Sequence, residues 1–121
     1  MLIDDLMAEW IHVLGLDHWR VTIDWSAVAQ DAQAEILFHD DYDEATIVFA
    51  ADHAEWSPRT AALVLVHELT HLILRDLQKV VEASHAQLPA VTRALATAVF
   101  EHELEGVVDR VAAALATVAG S

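Results

Sequence analysis

Two histidines and a glutamate between residues 67 and 71 are the residues of this sequence best suited to chemistry. The segment reads His-Glu-Leu-Thr-His. In an α-helix, residues four apart lie one above the other, so His67 and His71 can both reach one Zn²⁺ at ~2.0–2.1 Å. Glu68 lies ~100° further round the helix, offset from the metal but well placed to take a proton from an attacking water. The pentad therefore predicts hydrolysis by metal-activated water, with Glu68 as the general base.

The alternative is that the pentad arose by chance and its histidines are ordinary core residues. The chain contains 8 His among 121 residues, and its composition gives about 0.04 expected chance matches. Apolar residues precede the pentad over 61–66 and continue through it to Leu77, and a helix that is apolar on most sides is buried. Each buried polar group without a partner costs roughly 1–3 kcal/mol. A metal would satisfy all three side chains, so metal binding is favoured over satisfied core histidines.

Composition limits the classes of function. A length of 121 residues predicts one domain, residues 1–121. The chain has no cysteine, so a metal must be held by histidine, carboxylate or water, as suits a protein of the reducing cytoplasm. A net charge of −14 argues against nucleic acid as a partner. The first six residues are acidic and no uncharged apolar run is long enough to cross a bilayer, so we expect no signal peptide and no membrane partner.

Hydrophobic periodicity predicts the elements before the pentad. Apolar residues three and four apart indicate a helix over residues 2–15, with Gly15 directly after its C-cap. Alternation of apolar and polar residues indicates a strand over 19–25. Segments 34–39 and 44–50 are predicted to be two more strands, paired as a hairpin through the polar residues 40–43.

Two helices are predicted to complete the fold. Ser57 as N-cap and Pro58 at the first helical position begin the helix that carries the pentad, which we expect to end near residue 77. A break over 79–89 separates it from a long C-terminal helix between Ala90 and about Ala119. The predicted fold class is α+β, with an N-terminal helix, a small three-stranded sheet, a buried pentad helix and a long C-terminal helix.

A catalytic zinc needs a third protein ligand beside two histidines. The C-terminal helix offers four candidates, namely Glu101, His102, Glu105 and Asp109. Glu105 is the preferred one because it directly precedes an apolar run, and because Gly106 beside it would let another backbone approach closely. For Glu101, Glu103 and Asp109, a solvated acidic face is the preferred interpretation.

The pentad, followed some thirty residues later by a helix with Glu105, resembles the gluzincin zincin metallopeptidases. It is similar to their small single-domain phage and bacterial forms, and more distantly to ImmA/IrrE-type peptidases. The extended metzincin motif is missing, since Leu74 and Leu77 stand where it requires glycine and histidine. The resemblance implies a minimal zincin core with Zn²⁺ held by His67, His71 and Glu105. It also implies that segment 45–50 is an edge strand along which a peptide lies.

The function expected from these observations is that of a zinc-dependent endopeptidase acting on a protein or peptide substrate. The sequence leaves the oxyanion-stabilising residue open among four candidates, His39, Tyr42, His85 and His102. The alternative is a zincin-like accessory or regulatory protein that keeps its metal but cleaves nothing. The oligomeric state does not follow from the sequence.

Overall fold

A computed structural model describes residues 3–30, 32–39 and 42–119, the side chains of residues 116, 118 and 119 excepted. The elements in chain order are helix α1 (Ile3–Val13), strands β1 (Arg20–Ile23), β2 (Ala34–His39) and β3 (Glu44–Phe49), a short 3₁₀ turn (Ala51–Glu55), and helices α2 (Pro58–His85) and α3 (Ala90–Ala119). This arrangement confirms the predicted α+β class and the order of its elements. Leu2, Asp40 and Asp41, which fall in the predicted first helix and hairpin loop, lie outside the described residues.

Helix α1 ends in the way that its sequence predicts. Gly15 has a φ of +70°, a left-handed conformation that glycine adopts without steric cost. Its N–H donates to the carbonyl of His12, and the N–H of Leu16 donates to the carbonyl of Ile11. These two bonds form a Schellman motif, which satisfies carbonyls that the last turn leaves open.

The sheet has the order β1-β3-β2, with β1 parallel and β2 antiparallel to β3. The β2–β3 hairpin was predicted, whereas the parallel pairing of β1 with β3 was not. Strand β1 is also shorter than the predicted 19–25. It ends at Ile23 because the Asp24 carboxylate accepts a hydrogen bond from the Ser26 backbone N–H at 2.9 Å, which forms a local turn.

Helix α2 begins as predicted. The side chain of Ser57 accepts a hydrogen bond from the Thr60 backbone N–H at 3.1 Å, and Pro58 occupies the first turn. The predicted end near residue 77 is wrong, because the helix continues to His85. Residues 78–85 contain neither glycine nor proline, and Gln78 donates a hydrogen bond to Glu82 one turn later. The chain therefore turns only over residues 86–89.

The hydrophobic core lies where α2 packs against the sheet and α1. Leu65, Leu69 and Ile47 are fully buried at its centre, and burying each of these side chains stabilises the fold by about 1.5–3 kcal/mol. The hydroxyl of Thr70, also buried, donates to the carbonyl of Val66 at 2.6 Å. The middle of α2 is thus held rigidly, and this is the part of the helix that carries the pentad.

No helix within the described ranges has the length and apolar character that crossing a bilayer requires.

Candidate metal centre

The structure brings the two pentad histidines and one acid of α3 to a single point. His67 Nε2 lies 2.7 Å from Glu105 Oε1, and His71 Nε2 lies 3.4 Å from Glu105 Oε2. One ligand atom from each of the three residues falls within 4.8 Å of the others, so the group could hold a metal ion. Helices α2 and α3 run as an antiparallel pair, and their packing places Glu105 over the pentad.

These spacings fit a tetrahedral ion. Ligand atoms that stand 2.0–2.1 Å from a zinc at tetrahedral angles are roughly 3.4 Å apart. The 3.4 Å between His71 Nε2 and Glu105 Oε2 equals that spacing, whereas the 2.7 Å between His67 Nε2 and Glu105 Oε1 is a hydrogen-bond distance. Two imidazoles and a carboxylate are also a donor set that catalytic zinc sites use. To bind such an ion, His67 Nε2 and Glu105 Oε1 would have to separate by roughly 0.7 Å.

Asp109 supports the centre from the other side of His67. Its Oδ1 lies 3.0 Å from His67 Nδ1, a distance at which the carboxylate can accept the Nδ1–H. With a metal bound, this contact would leave the Nε2 lone pair to the ion. Partners of this kind orient a ligating histidine and increase its basicity. Asp109 was considered from the sequence as an alternative ligand. The structure places it in contact with a ligand instead, one turn after Glu105 on the same face of α3.

The glutamate of the pentad lies in the same cleft. Glu68 is only 6% exposed, and burial, followed by the negative charges of Glu105 and Glu35, raises its pKa to about 8. The carboxyl group thus keeps a proton near neutral pH unless a cation lies close by. A divalent ion at the neighbouring centre would favour the ionised form by direct charge attraction.

Burial also affects the second histidine. It lowers the pKa of His71, an effect that the nearby Glu105 carboxylate partly opposes. The lowered pKa keeps the imidazole neutral near physiological pH, the form in which histidine binds metals.

A cleft of about 760 Å³ opens beside the centre. One wall is the β2 segment 32–38, and the others are α2 and α3. The floor consists of His67, Glu68 and His71, and the apolar side chains of Leu63 and Val64 line one end. An extended chain segment could lie in this cleft with its backbone next to the centre.

The strand beside the cleft differs from the one that the resemblance implied. Segment 45–50 was expected to be the edge strand, but β3 (44–49) is the central strand and has a neighbour on each side. Its position follows from the parallel β1–β3 pairing, which covers the edge that a simple hairpin would leave open. Strand β2 takes the edge position and forms the cleft wall.

The prediction that another backbone approaches closely at Gly106, beside Glu105, is wrong. A Cβ added at Gly106 would meet only the flexible side chain of Arg110, at 3.5 Å. Among the described residues, no backbone from outside α3 therefore approaches closely at this glycine. Glu105 reaches the centre because of its helical position, seven residues before the buried Ala112 and one after the buried Leu104.

The remaining candidates from the sequence lie elsewhere. Glu101 and His102 are exposed on α3 and do not belong to the metal-binding group. His85 contacts Thr97 and Phe100 at the far end of α2. His39 bonds to Thr46 on the sheet, and Tyr42 is exposed in the β2–β3 turn. Of the described residues that line the cleft, none is one of the four oxyanion candidates.

No protein-family model matches the chain, and comparisons with curated proteins and with solved structures find no match either.

Proposed function

We propose that this protein is a zinc-dependent endopeptidase that cleaves an extended segment of a protein substrate. The observation that carries the proposal is the convergence of His67, His71 and Glu105 beside the buried Glu68, in a cleft with an open strand edge. A metal centre alone could equally well stabilise the fold without catalysing a reaction. A base and an open groove next to the metal are what hydrolysis needs.

The substrate would bind by adding a strand to the sheet. The outer edge of β2 has no strand partner among the described residues, so its backbone N–H and C=O groups can bond an extended peptide. Such a peptide would run between β2 and the two helices, which brings one of its carbonyls over the pentad. Leu63, exposed at one end of the cleft, would contact an apolar side chain next to the scissile bond.

Each residue of the centre would have a separate role in this reaction. His67, His71 and Glu105 would hold the ion, and Asp109 would keep the His67 ring in place. A bound Zn²⁺ lowers the pKa of water towards ~7 and polarises a carbonyl. Glu68 would accept the proton of the attacking water and deliver it to the leaving amine. Because the cysteine-free chain suits a reducing compartment, we propose that this reaction takes place in the cytoplasm.

A second candidate is a metal-binding accessory protein without activity. The observation that favours it is that none of the four oxyanion candidates lines the cleft. A donor at that position commonly contributes a factor of ~10² or more to acyl transfer. A protein of this kind would bind the metal but would not hydrolyse peptide bonds.

One experiment separates the candidates. The purified protein is analysed for zinc, iron and manganese, and then incubated with an unfolded, casein-like protein with and without a chelator. We expect about one zinc per chain, and cleavage that the chelator abolishes. The variant Glu68→Gln should retain zinc but lose activity by ~10²–10⁴-fold, whereas Glu101→Gln, an exposed acid one turn from Glu105, should behave as wild type.

Each outcome has one meaning. Bound zinc without cleavage of any unfolded substrate supports the accessory protein. Cleavage that survives Glu68→Gln contradicts the role of this glutamate. Absence of bound metal after zinc reconstitution contradicts both candidates.

A further inference from the structure

Two side chains of β2 share one face of the sheet at its open edge. Ala34, Ile36 and Phe38 pair with three buried residues of β3, so they face the core. Side chains alternate along a strand, and Glu35 and Leu37 therefore point to the opposite face. Glu35 is half-buried, Leu37 is 52% exposed, and both line the cleft. We call these two residues the edge pair.

A segment that adds to the free edge of β2 would place alternate side chains beside the edge pair. Residues directly opposite each other on neighbouring strands have Cβ atoms about 4.5–5.5 Å apart, and their side chains interact. One side chain of the segment would thus lie next to the Glu35 carboxylate, and another, two residues along, next to Leu37. The chemistry of the edge pair therefore selects the chemistry of the segment.

The Glu35 carboxylate is held in position by the loop before β2. Its Oε1 accepts a hydrogen bond from the Gln30 backbone N–H at 3.0 Å. Part of the cost of an exposed ion pair is the entropy of fixing its side chains, and a carboxylate that is already held loses less of it. Of the described residues, no lysine or arginine forms an ion pair with Glu35. The carboxylate is thus available to a cation from outside the chain.

Negative charge dominates the cleft around the edge pair. The described residues that line it include four acids, Glu35, Glu68, Glu105 and Asp109, and no lysine or arginine. Burial, followed by the negative charges of Glu105 and Glu35, raises the pKa of Glu68, so the Glu35 charge reaches the pentad. A divalent ion at the centre would offset only two of the four charges. A cleft lined by one sign of charge raises the local concentration of groups of the opposite sign.

We infer that Glu35 selects a lysine or arginine of the substrate opposite it, and that Leu37 selects an apolar residue two positions away. The inference rests on the proposed function, since it requires an extended segment to add to β2. An opposite charge directly across two strands stabilises their pairing, whereas a like charge destabilises it. The substrate class is therefore a segment in which one residue separates a basic from an apolar residue.

The test is the binding of fluorescent peptides to zinc-loaded Glu68→Gln, in which cleavage does not disturb the measurement. The peptides are threonine-rich and carry a lysine and a leucine separated by one residue, in both orders. Matched peptides carry glutamine or glutamate in place of the lysine. In one of the two orders, we expect the lysine peptide to bind about three- to tenfold more tightly than the glutamate peptide, with the glutamine peptide between them. Fluorescence anisotropy at low salt measures the affinities.

Substitutions of Glu35 in this background make the test specific. Glu35→Gln keeps an oxygen that can accept the Gln30 N–H but should remove the preference for lysine. Glu35→Lys should reverse it, so that the glutamate peptide binds more tightly than the lysine peptide. Glu44→Gln should keep the original preference, because Glu44 lies on the same face of the sheet but on the central strand. A purely structural role of Glu35 would change all affinities alike and leave their order unchanged.

The outcomes for the inference and for the proposed function differ. Equal affinities for the lysine and glutamate peptides in both orders, no binding of any peptide, or a preference that survives Glu35→Gln overturns the inference. Peptides that Glu68→Gln binds with the expected preference, but that zinc-loaded wild type does not cleave, support the inference and contradict the endopeptidase. Cleavage of all peptides at equal rates contradicts only the inference.

Discussion

The two halves of α2 share a helical spacing of apolar residues but lie in different surroundings. Residues 61–72 pack into the core and carry the two candidate metal-binding histidines, and six of these twelve residues are buried and apolar. Residues 73–85 continue the same apolar pattern, yet of these only Arg75 is buried. The difference arises because the sheet and α1 cover the first half, whereas beyond Arg75, which lies over the Phe38 ring of β2, the second half packs against α3. Apolar residues at helical spacing thus form a helix in both halves, but they are buried only in the first half.

The largest expected effect compares one histidine from each half. His71→Ala removes one of three ligands, and we expect a loss of zinc affinity on the order of 3–5 kcal/mol, about a third of a typical structural zinc site. His85→Ala removes a ring that contacts Thr97 and Phe100 but lies far from the centre, so affinity should be unchanged. Competition with a fluorescent chelator measures both. Equal losses would contradict the assignment of the site to the first half.

Alanine substitutions of one leucine from each half should differ nearly as much in their effect on the free energy of unfolding. Leu69 is fully buried and Leu77 is 54% exposed. Leu69→Ala should lower the free energy of unfolding by about 2–5 kcal/mol, because it leaves a cavity in the core. Leu77→Ala should lower it by less than about 1 kcal/mol, because the side chain is largely exposed already. Denaturation of the metal-free protein by urea, at submicromolar concentration, measures both. Similar costs would mean that the second half of α2 is packed as tightly as the core.

The buried glutamate should give the first half a distinct pH dependence. The pKa of Glu68 is raised to about 8, chiefly by burial, so its contribution to stability is fully present below the unfolded pKa near 4.5 and is lost as pH rises through 8. Between pH 5 and 8, metal-free wild type should therefore lose on the order of 2–4 kcal/mol relative to Glu68→Gln. Urea denaturation across this pH range measures the difference.

Two comparisons make the pH experiment specific. Glu82→Gln, in the exposed half of α2, should follow the wild-type profile, because its side chain is 44% exposed. Saturating zinc should remove most of the difference between wild type and Glu68→Gln, since the cation favours the ionised carboxylate. Parallel profiles of wild type and Glu68→Gln without metal would show that Glu68 is solvated in the free protein.

The smallest expected effect concerns Asp109. Asp109→Asn keeps the shape of the side chain but removes the charge that faces His67 Nδ1. Loss of such a partner typically lowers metal affinity by ~10–100-fold. Glu103→Gln, on another face of α3, is the matched control. If Asp109→Asn binds zinc as wild type does, the contact with His67 has no role in holding the metal.

The sequence predicted the elements of the site better than their arrangement. Ser57, Pro58 and Gly15 are local signals, so the start of α2 and the end of α1 followed directly from them. The spacing of His67 and His71 likewise fixes their common face within one helix. Each of these features depends on residues within one or two turns, where backbone geometry leaves few alternatives.

Features that depend on distant contacts were predicted less well. Strand β3 was expected at the edge, because nothing in residues 20–23 indicates that they pair in parallel with β3 rather than extend the hairpin. The role of Asp109 had a detectable signal, since it lies four residues after Glu105 on the same face. The sequence does not show how α3 sits on α2, however, so it cannot tell whether Asp109 would bind the metal or contact a histidine that binds it. Helix α2 was predicted too short because a polar segment without glycine or proline was read as a loop.

The open backbone of β2 carries a risk that follows from its use. An unpaired strand edge that can bond a substrate can equally bond a strand of any other molecule, and exposed edges of this kind are starting points for fibrous aggregation. In this fold α2 and α3 face β2 across the cleft, which limits the space beside its edge. Helix α3 thus shields the edge of β2 as well as carrying a candidate metal ligand. Fraying of its C-terminal half would expose this edge to strands of other molecules, which could add to it one after another.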